Sequence, residues 1–99
     1  MPKIIEDPKT ELDLDKPKMY RVLLHNDDYT TMDFVIMILM KIFHKSEQEA
    51  EIIMWDIHKK GRGTCGIYTH EIAQTKVEQV KRLAKDNQFP LLATMEEEE

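Results

Sequence analysis

Between Thr31 and Phe43 runs TMDFVIMILMKIF, a segment whose only charged residues are Asp33 and Lys41. Val35, Ile38, Leu39 and Ile42 fall at helical spacing, and Thr30 or Thr31 can accept from the first free amides, so the segment predicts a helix. A surface helix ordinarily shows one apolar stripe, whereas this one is apolar nearly all round. Either the fold encloses it, or Met32, Met37 and Met40 are surplus and face a partner. A chain of 99 residues has room for one core, because a domain of this size buries somewhat more than about 60% of the surface its unfolded chain exposes.

The flanking segments supply the rest of that core. MYRVLLHN alternates, with Tyr20, Val22 and Leu24 on one face and Arg21, Leu23 and His25 on the other, which predicts a half-buried strand. Asn26 to Thr30 is then the turn into the apolar helix. Ser46 with Glu49 three residues on forms a capping box, and Ala50, Ile53, Met54 and Ile57 share one face of the helix it opens. That helix stops at HKKG, where positive side chains suit the negative helix end and Gly61 can take the left-handed position. RGTCGIYT reads as a short strand and Thr69 as the next cap, with Ala73, Val77, Val80 and Ala84 as the buried stripe of a third helix that Asn87 can end. Pro90 forbids helix, and LLATM gives a last strand. The order β-α-α-β-α-β predicts an α+β two-layer domain, a small three-stranded antiparallel sheet with three helices packed on one face.

Charge and punctuation set the expected boundaries. Pro2, Pro8 and Pro17 interrupt a charged start without sustained period, which predicts a flexible arm over residues 1–18, ahead of a core domain over 19–95 and an acidic tail over 96–99. The arm holds four lysines against five acids and the tail four glutamates, so the net charge of -5 leaves Met19 to Met95 neutral. A neutral body lacks the basic stripe that drives phosphate binding, which argues against nucleic acid. No apolar run approaches the roughly 18 residues of a membrane span. The start has no basic segment followed by an apolar stretch and a cleavage site, and the one cysteine, Cys65, cannot form an internal disulfide. Both fit a cytoplasmic protein.

The sharpest local chemistry lies in HNDDYTTM, His25 to Met32. Asn26, Asp27 and Asp28 can close a turn by bonding their own backbone, or can present several acceptors to one cation. A hard metal ion wants more oxygen ligands than these, and the four histidines with one cysteine show no paired zinc spacing, so no metal and no cofactor are expected. His58 shares a helix face with Met54 one turn earlier. It either stabilises the helix end or forms the polar rim of an apolar pocket whose wall includes Met54 and, across an antiparallel helix pair, Met32. Seven methionines suit an adaptable lining or a plain core alike. Cys65, beside Gly66 in a strand, reads as a small packed residue.

YRVLLHNDDYTTMDFVIMIL, CGIYTHEIAQTKV and FPLLATME, in that order from about Met19 to Met95, resemble the ClpS family of adaptors, which hand N-degron substrates to Clp AAA+ proteases. The resemblance implies the same α+β domain behind a flexible arm. It implies that Asn26, Asp28 and His58 bind the free α-amino group of a substrate's first residue, with Asp27 supporting the turn or the peptide backbone. Thr30, Met32, Val35, Met54, Ile57 and Leu91 then correspond to a pocket for a bulky first side chain, Phe, Leu, Trp or Tyr. Glu71 and Lys76 resemble positions that face the N-terminal domain of a Clp unfoldase of the ClpA or ClpC type. Thr31 departs from the Pro that many members carry before the Met. Such a protein would be a monomeric adaptor and not an enzyme. Two other classes stand beside it: a structural module dimerising through its apolar first helix, and a small thiol or acid/base enzyme using Cys65 with His58 or the paired acids. No nucleophile has an evident base beside it, and no glycine-rich phosphate loop occurs.

Overall fold

The computed structural model describes residues 16–98, so the arm expected over residues 1–18 falls almost wholly outside the described residues. The alternating segment forms β1, Met19–His25, with Val22 and Leu24 fully enclosed. The apolar segment forms α1, Met32–Lys41, and the capping-box segment forms α2, Glu47–Lys60. β2, Arg62–Thr69, α3, His70–Asp86, and β3, Leu92–Glu98, complete the predicted order. β1 is the central strand and pairs antiparallel with β2 on one side and β3 on the other. α3 packs across all three strands, α2 against β2, and α1 against α2.

The local signals act as their chemistry requires. Thr31 Oγ1 accepts from the Phe34 amide at 3.1 Å, and the Ser46–Glu49 box closes from both sides at 3.1 and 2.9 Å. Gly61 ends α2 with φ of 94°, a left-handed conformation that a side chain would strain. Thr69 occupies the N-cap of α3 without a side-chain bond.

α1 is largely enclosed. Phe34, Val35, Ile38 and Leu39 are buried, Ile36 and Met37 half-buried, and only Met32 and Met40 among its apolar side chains stand well exposed. They join Val22 and Leu24 of the sheet, Ala50, Met54 and Ile57 of α2, and Ala73, Val80 and Ala84 of α3 in one cluster. Each such side chain contributes about 1.5–3 kcal/mol when fully buried.

The sheet departs from the expectation in two places. Leu23 lies outside the core cluster yet is only 5% exposed, and it lines a hollow together with the long charged side chains of Arg21, Arg62 and Glu96. The acidic stretch expected as a tail is also corrected: Glu96 to Glu98 continue β3 and pair with Arg21, Tyr20 and Met19. Arg21 lies 3.5 Å from Glu96 and 3.4 Å from Glu98, Arg62 lies 3.4 Å from Glu96, and Lys18 lies 3.7 Å from Glu97. Exposed pairs of this kind contribute only about 0.2–1 kcal/mol each, but together they offset the repulsion within a run of like charges.

Two glycines let other groups come close to β2. Cys65 is the extra residue of a bulge in the β1–β2 register, and the Tyr68 ring covers neighbouring Gly66 where a Cβ would stand. At Gly63 a Cβ would come within 2.8 Å of Ile57 Cγ1. Gly63→Ala is therefore expected to push α2 away from the sheet at a cost of about 1–3 kcal/mol. A urea titration checks this, and an unchanged midpoint would show that α2 has slack the packing does not suggest.

Candidate functional site

The end of β1 and the end of α2 are joined by one backbone bond: the Asn26 amide donates to the Gly61 carbonyl at 2.8 Å. Asp27 then organises the turn. Its Oδ1 accepts from the amides of Tyr29 and Thr30 at 2.8 and 2.7 Å, and its Oδ2 accepts from the Thr30 hydroxyl at 2.7 Å. Burial pushes the Asp27 carboxyl upward, yet the bonds from the Thr30 hydroxyl and from the Thr30 and Tyr29 amides outweigh it and hold the pKa below the usual 3.8. The carboxylate is thus spent inside the turn. Asn26 and Asp28 on either side of it are exposed and border a cavity.

That cavity, about 230 Å³, is lined by Asn26, Asp27, Asp28, Thr30, Met32, Val35, Met54, Ile57 and His58. The start of α1 and the end of α2 meet across it, as antiparallel neighbours do. Its floor is apolar: Val35, Met54 and Ile57 are 7%, 5% and 2% exposed. Its rim is polar on the side of the turn and His58, while Met32, 42% exposed, stands at the mouth. The volume lies below the ~300–1,000 Å³ of pockets for drug-sized ligands, and fits a guest the size of one amino-acid side chain.

The remaining expected positions lie elsewhere. Leu91, 6% exposed, is in the same core cluster as Val35, Met54 and Ile57 but is not among the residues that line the cavity. Glu71 is exposed in the first turn of α3. Lys76, on the same helix, is half-buried and donates to the Ile42 carbonyl at 2.7 Å, closing the end of α1, with its ammonium 5.6 Å from the Tyr68 ring centroid. Cys65 is 1% exposed, and burial first of all pushes its thiol up to about 12. A thiol held protonated inside the core is no nucleophile, which removes the thiol chemistry that Cys65 suggested.

A larger hollow, about 320 Å³, lies on the open face of the sheet among Arg21, Leu23, Asp56, Lys60, Arg62 and Glu96. Its charges already pair with one another, Lys60 with Asp56 at 3.7 Å and both arginines with Glu96, and its apolar floor is little more than Leu23. It lacks the pairing of free acceptors with an apolar floor that marks the smaller cavity. Among the described residues no group of three or more His, Cys, Asp or Glu side chains is placed to hold a metal ion, and no helix is long and apolar enough to cross a membrane.

Sequence reasoning missed the Asn26–Gly61 bond, which no side chain announces, and the contact of the Trp55 and His58 rings, 5.7 Å between centroids and nearly perpendicular. The second was readable, since residues three apart on a helix are neighbours.

Comparison with known proteins adds a second line. A family model described as ATP-dependent Clp protease adaptor protein ClpS matches residues 15–94. The ATP-dependent Clp protease adapter protein ClpS of Acetivibrio thermocellus is 51% identical over 96 residues, 97% of each chain. The protein of that name from Desulforapulum autotrophicum is 60% identical over 82 residues, 83% of this chain and 79% of that one, and the one from Syntrophus aciditrophicus is 57% identical over 82 residues, 83% and 77%. Among solved structures, ClpS2 of Agrobacterium tumefaciens bound to L-phenylalaninamide superposes with a TM-score of 0.81 at 37% identity, over 84% of this chain and 100% of that one.

Proposed function

This chain belongs to the ClpS family of ATP-dependent Clp protease adaptors, and we propose that it binds the free N-terminus of chains whose first residue is Phe, Leu, Trp or Tyr and delivers them to a Clp unfoldase. It is an adaptor and not an enzyme. One observation carries the reading: a single cavity sets the acceptors of Asn26, Asp28 and His58 beside an apolar floor made by Val35, Met54 and Ile57. An ammonium is a point charge with three donors, and a cluster of acceptors satisfies it as no single group would. The apolar floor takes the side chain on the same α-carbon. L-Phenylalaninamide, the ligand of the similar Agrobacterium protein, carries both halves, a free α-amine and a benzyl group, on one α-carbon. Asp27, already saturated within the turn, holds the acceptors in place.

Both halves contribute. Enclosing a Leu or Phe side chain is worth about 1.5–3 kcal/mol, and each hydrogen bond to a charged group about 1.5–3 kcal/mol. Titration of a fluorescent peptide beginning with Leu against the same peptide beginning with Met tests the reading. Equal affinity for the two would remove it.

Met32, at the mouth, sets which side chains enter, by crowding a first residue branched at Cβ. Met32→Ala is expected to shrink the preference for Leu-started over Ile- and Val-started peptides by about tenfold, the scale at which a pocket resolves one methylene. An unchanged ratio in competition binding would end the gatekeeper role.

Delivery is assigned to other surfaces. Glu71 and Lys76 on α3 are the positions that contact the N-terminal domain of the unfoldase, of the ClpA or ClpC type, and the arm over residues 1–18 engages it during hand-over. The protein acts in the cytoplasm as a monomer, without cofactor or metal.

A further inference from the structure

His58 is an exposed side chain at the last turn of α2, yet the amine reading needs its ring turned to the cavity. Trp55, the chain's one tryptophan, lies one turn earlier and is itself 43% exposed, so the core does not account for it. Among the described residues its indole is the aromatic ring in contact with His58, with centroids 5.7 Å apart and planes at 82°. This is the edge-to-face arrangement that ring quadrupoles favour. We infer that Trp55 is a positioning residue, whose indole holds the His58 imidazole in the orientation that accepts from the substrate ammonium; the inference rests on the amine-binding role of His58.

The physical effect is pre-organisation. An exposed imidazole free to rotate must be immobilised when the amine arrives, and fixing it beforehand removes that cost from binding. Trp55 need not touch the substrate for this to operate. Because Trp55 acts through His58, its contribution vanishes where His58 is absent.

A double-mutant cycle with a Leu-started peptide tests the inference. Trp55→Leu should weaken binding by about 2- to 12-fold, the range that immobilising one side chain spans. The same substitution in a His58→Ala background should change nothing further, and Trp55→Phe, which restores a ring edge, should recover most of the loss. Independently of any peptide, the His58 ring-proton resonances should shift in Trp55→Leu as the indole ring current is lost, with the melting temperature unchanged. Equal losses in both backgrounds would mean that Trp55 touches the peptide or the fold directly, and would overturn the inference while leaving the role of His58 intact. No loss from Trp55→Leu beside a clear loss from His58→Ala would overturn it in the same way. Full affinity in His58→Ala would instead remove the amine-binding role of His58, and this inference with it.

Discussion

A peptide beginning with phenylalanine will lose about a hundredfold or more of its affinity for this protein when its α-amine is acetylated. Acetylation leaves the benzyl group, the backbone and the peptide length intact while removing a positive charge and two of three donors. The partners left behind would be the acceptors of Asn26, Asp28 and His58 at the rim of the cavity. Each hydrogen bond to a charged group is worth about 1.5–3 kcal/mol, so losing two removes at least about 3 kcal/mol, more than a hundredfold in affinity. The apolar floor cannot make up the difference, because the side chain already occupies it in the free peptide. Fluorescence anisotropy with the free and acetylated peptides decides the matter. If the two bound within about threefold of each other, less than 1 kcal/mol, the turn would not be reading an amine, and the cavity would be an apolar groove of no particular polarity.

Ile38→Ala should remove a large part of the protein's stability. Ile38 is wholly enclosed, on the helix that the rest of the fold covers. Truncating such a residue costs about 2–5 kcal/mol, the lost transfer energy plus the cavity left behind. A domain of this length has only about 5–15 kcal/mol in total. Ile52→Ala, at a side chain 66% exposed, should by contrast stay within about 0.5 kcal/mol of the parent. Urea unfolding of both variants measures the contrast directly. A loss below about 1 kcal/mol at Ile38 would mean that the core closes over the gap, against the range seen for buried truncations.

What the sequence disclosed depended on how far apart the cooperating groups lie. The capping box at Ser46 and Glu49, the cap at Thr31 and the left-handed stop at Gly61 are decided within a few residues, and each was legible. The order of elements followed from hydrophobic period and from Pro90, and the sheet and helices take that order. The run of glutamates defeated the same method, since its strand exists through cations on β1 and β2 that are remote in the chain, Arg21 and Arg62. The bulge at Cys65 and the Lys76 bond to the Ile42 carbonyl are equally invisible locally. At the candidate site, Asn26 to Met32 were found together because they are consecutive, and Met54, Ile57 and His58 because helical spacing aligns them. Leu91, which the family resemblance put with them, is 6% exposed and is not among the residues that line the cavity.

The bond from the Asn26 amide to the Gly61 carbonyl continues the β1–β2 register, in which His25 already faces Arg62. The lip of the cavity is therefore one more rung of the sheet's own ladder. Its opening is coupled to the opening of the strands beneath it, so the Asn26 amide should resist hydrogen exchange almost as long as those of β1, although the residue itself is exposed. The turn that begins at Asn26 stays tied to the end of α2 for as long as that rung persists. On the proposed reading, recognition then depends on the backbone ladder that closes the sheet, and it should be lost when β1 and β2 part.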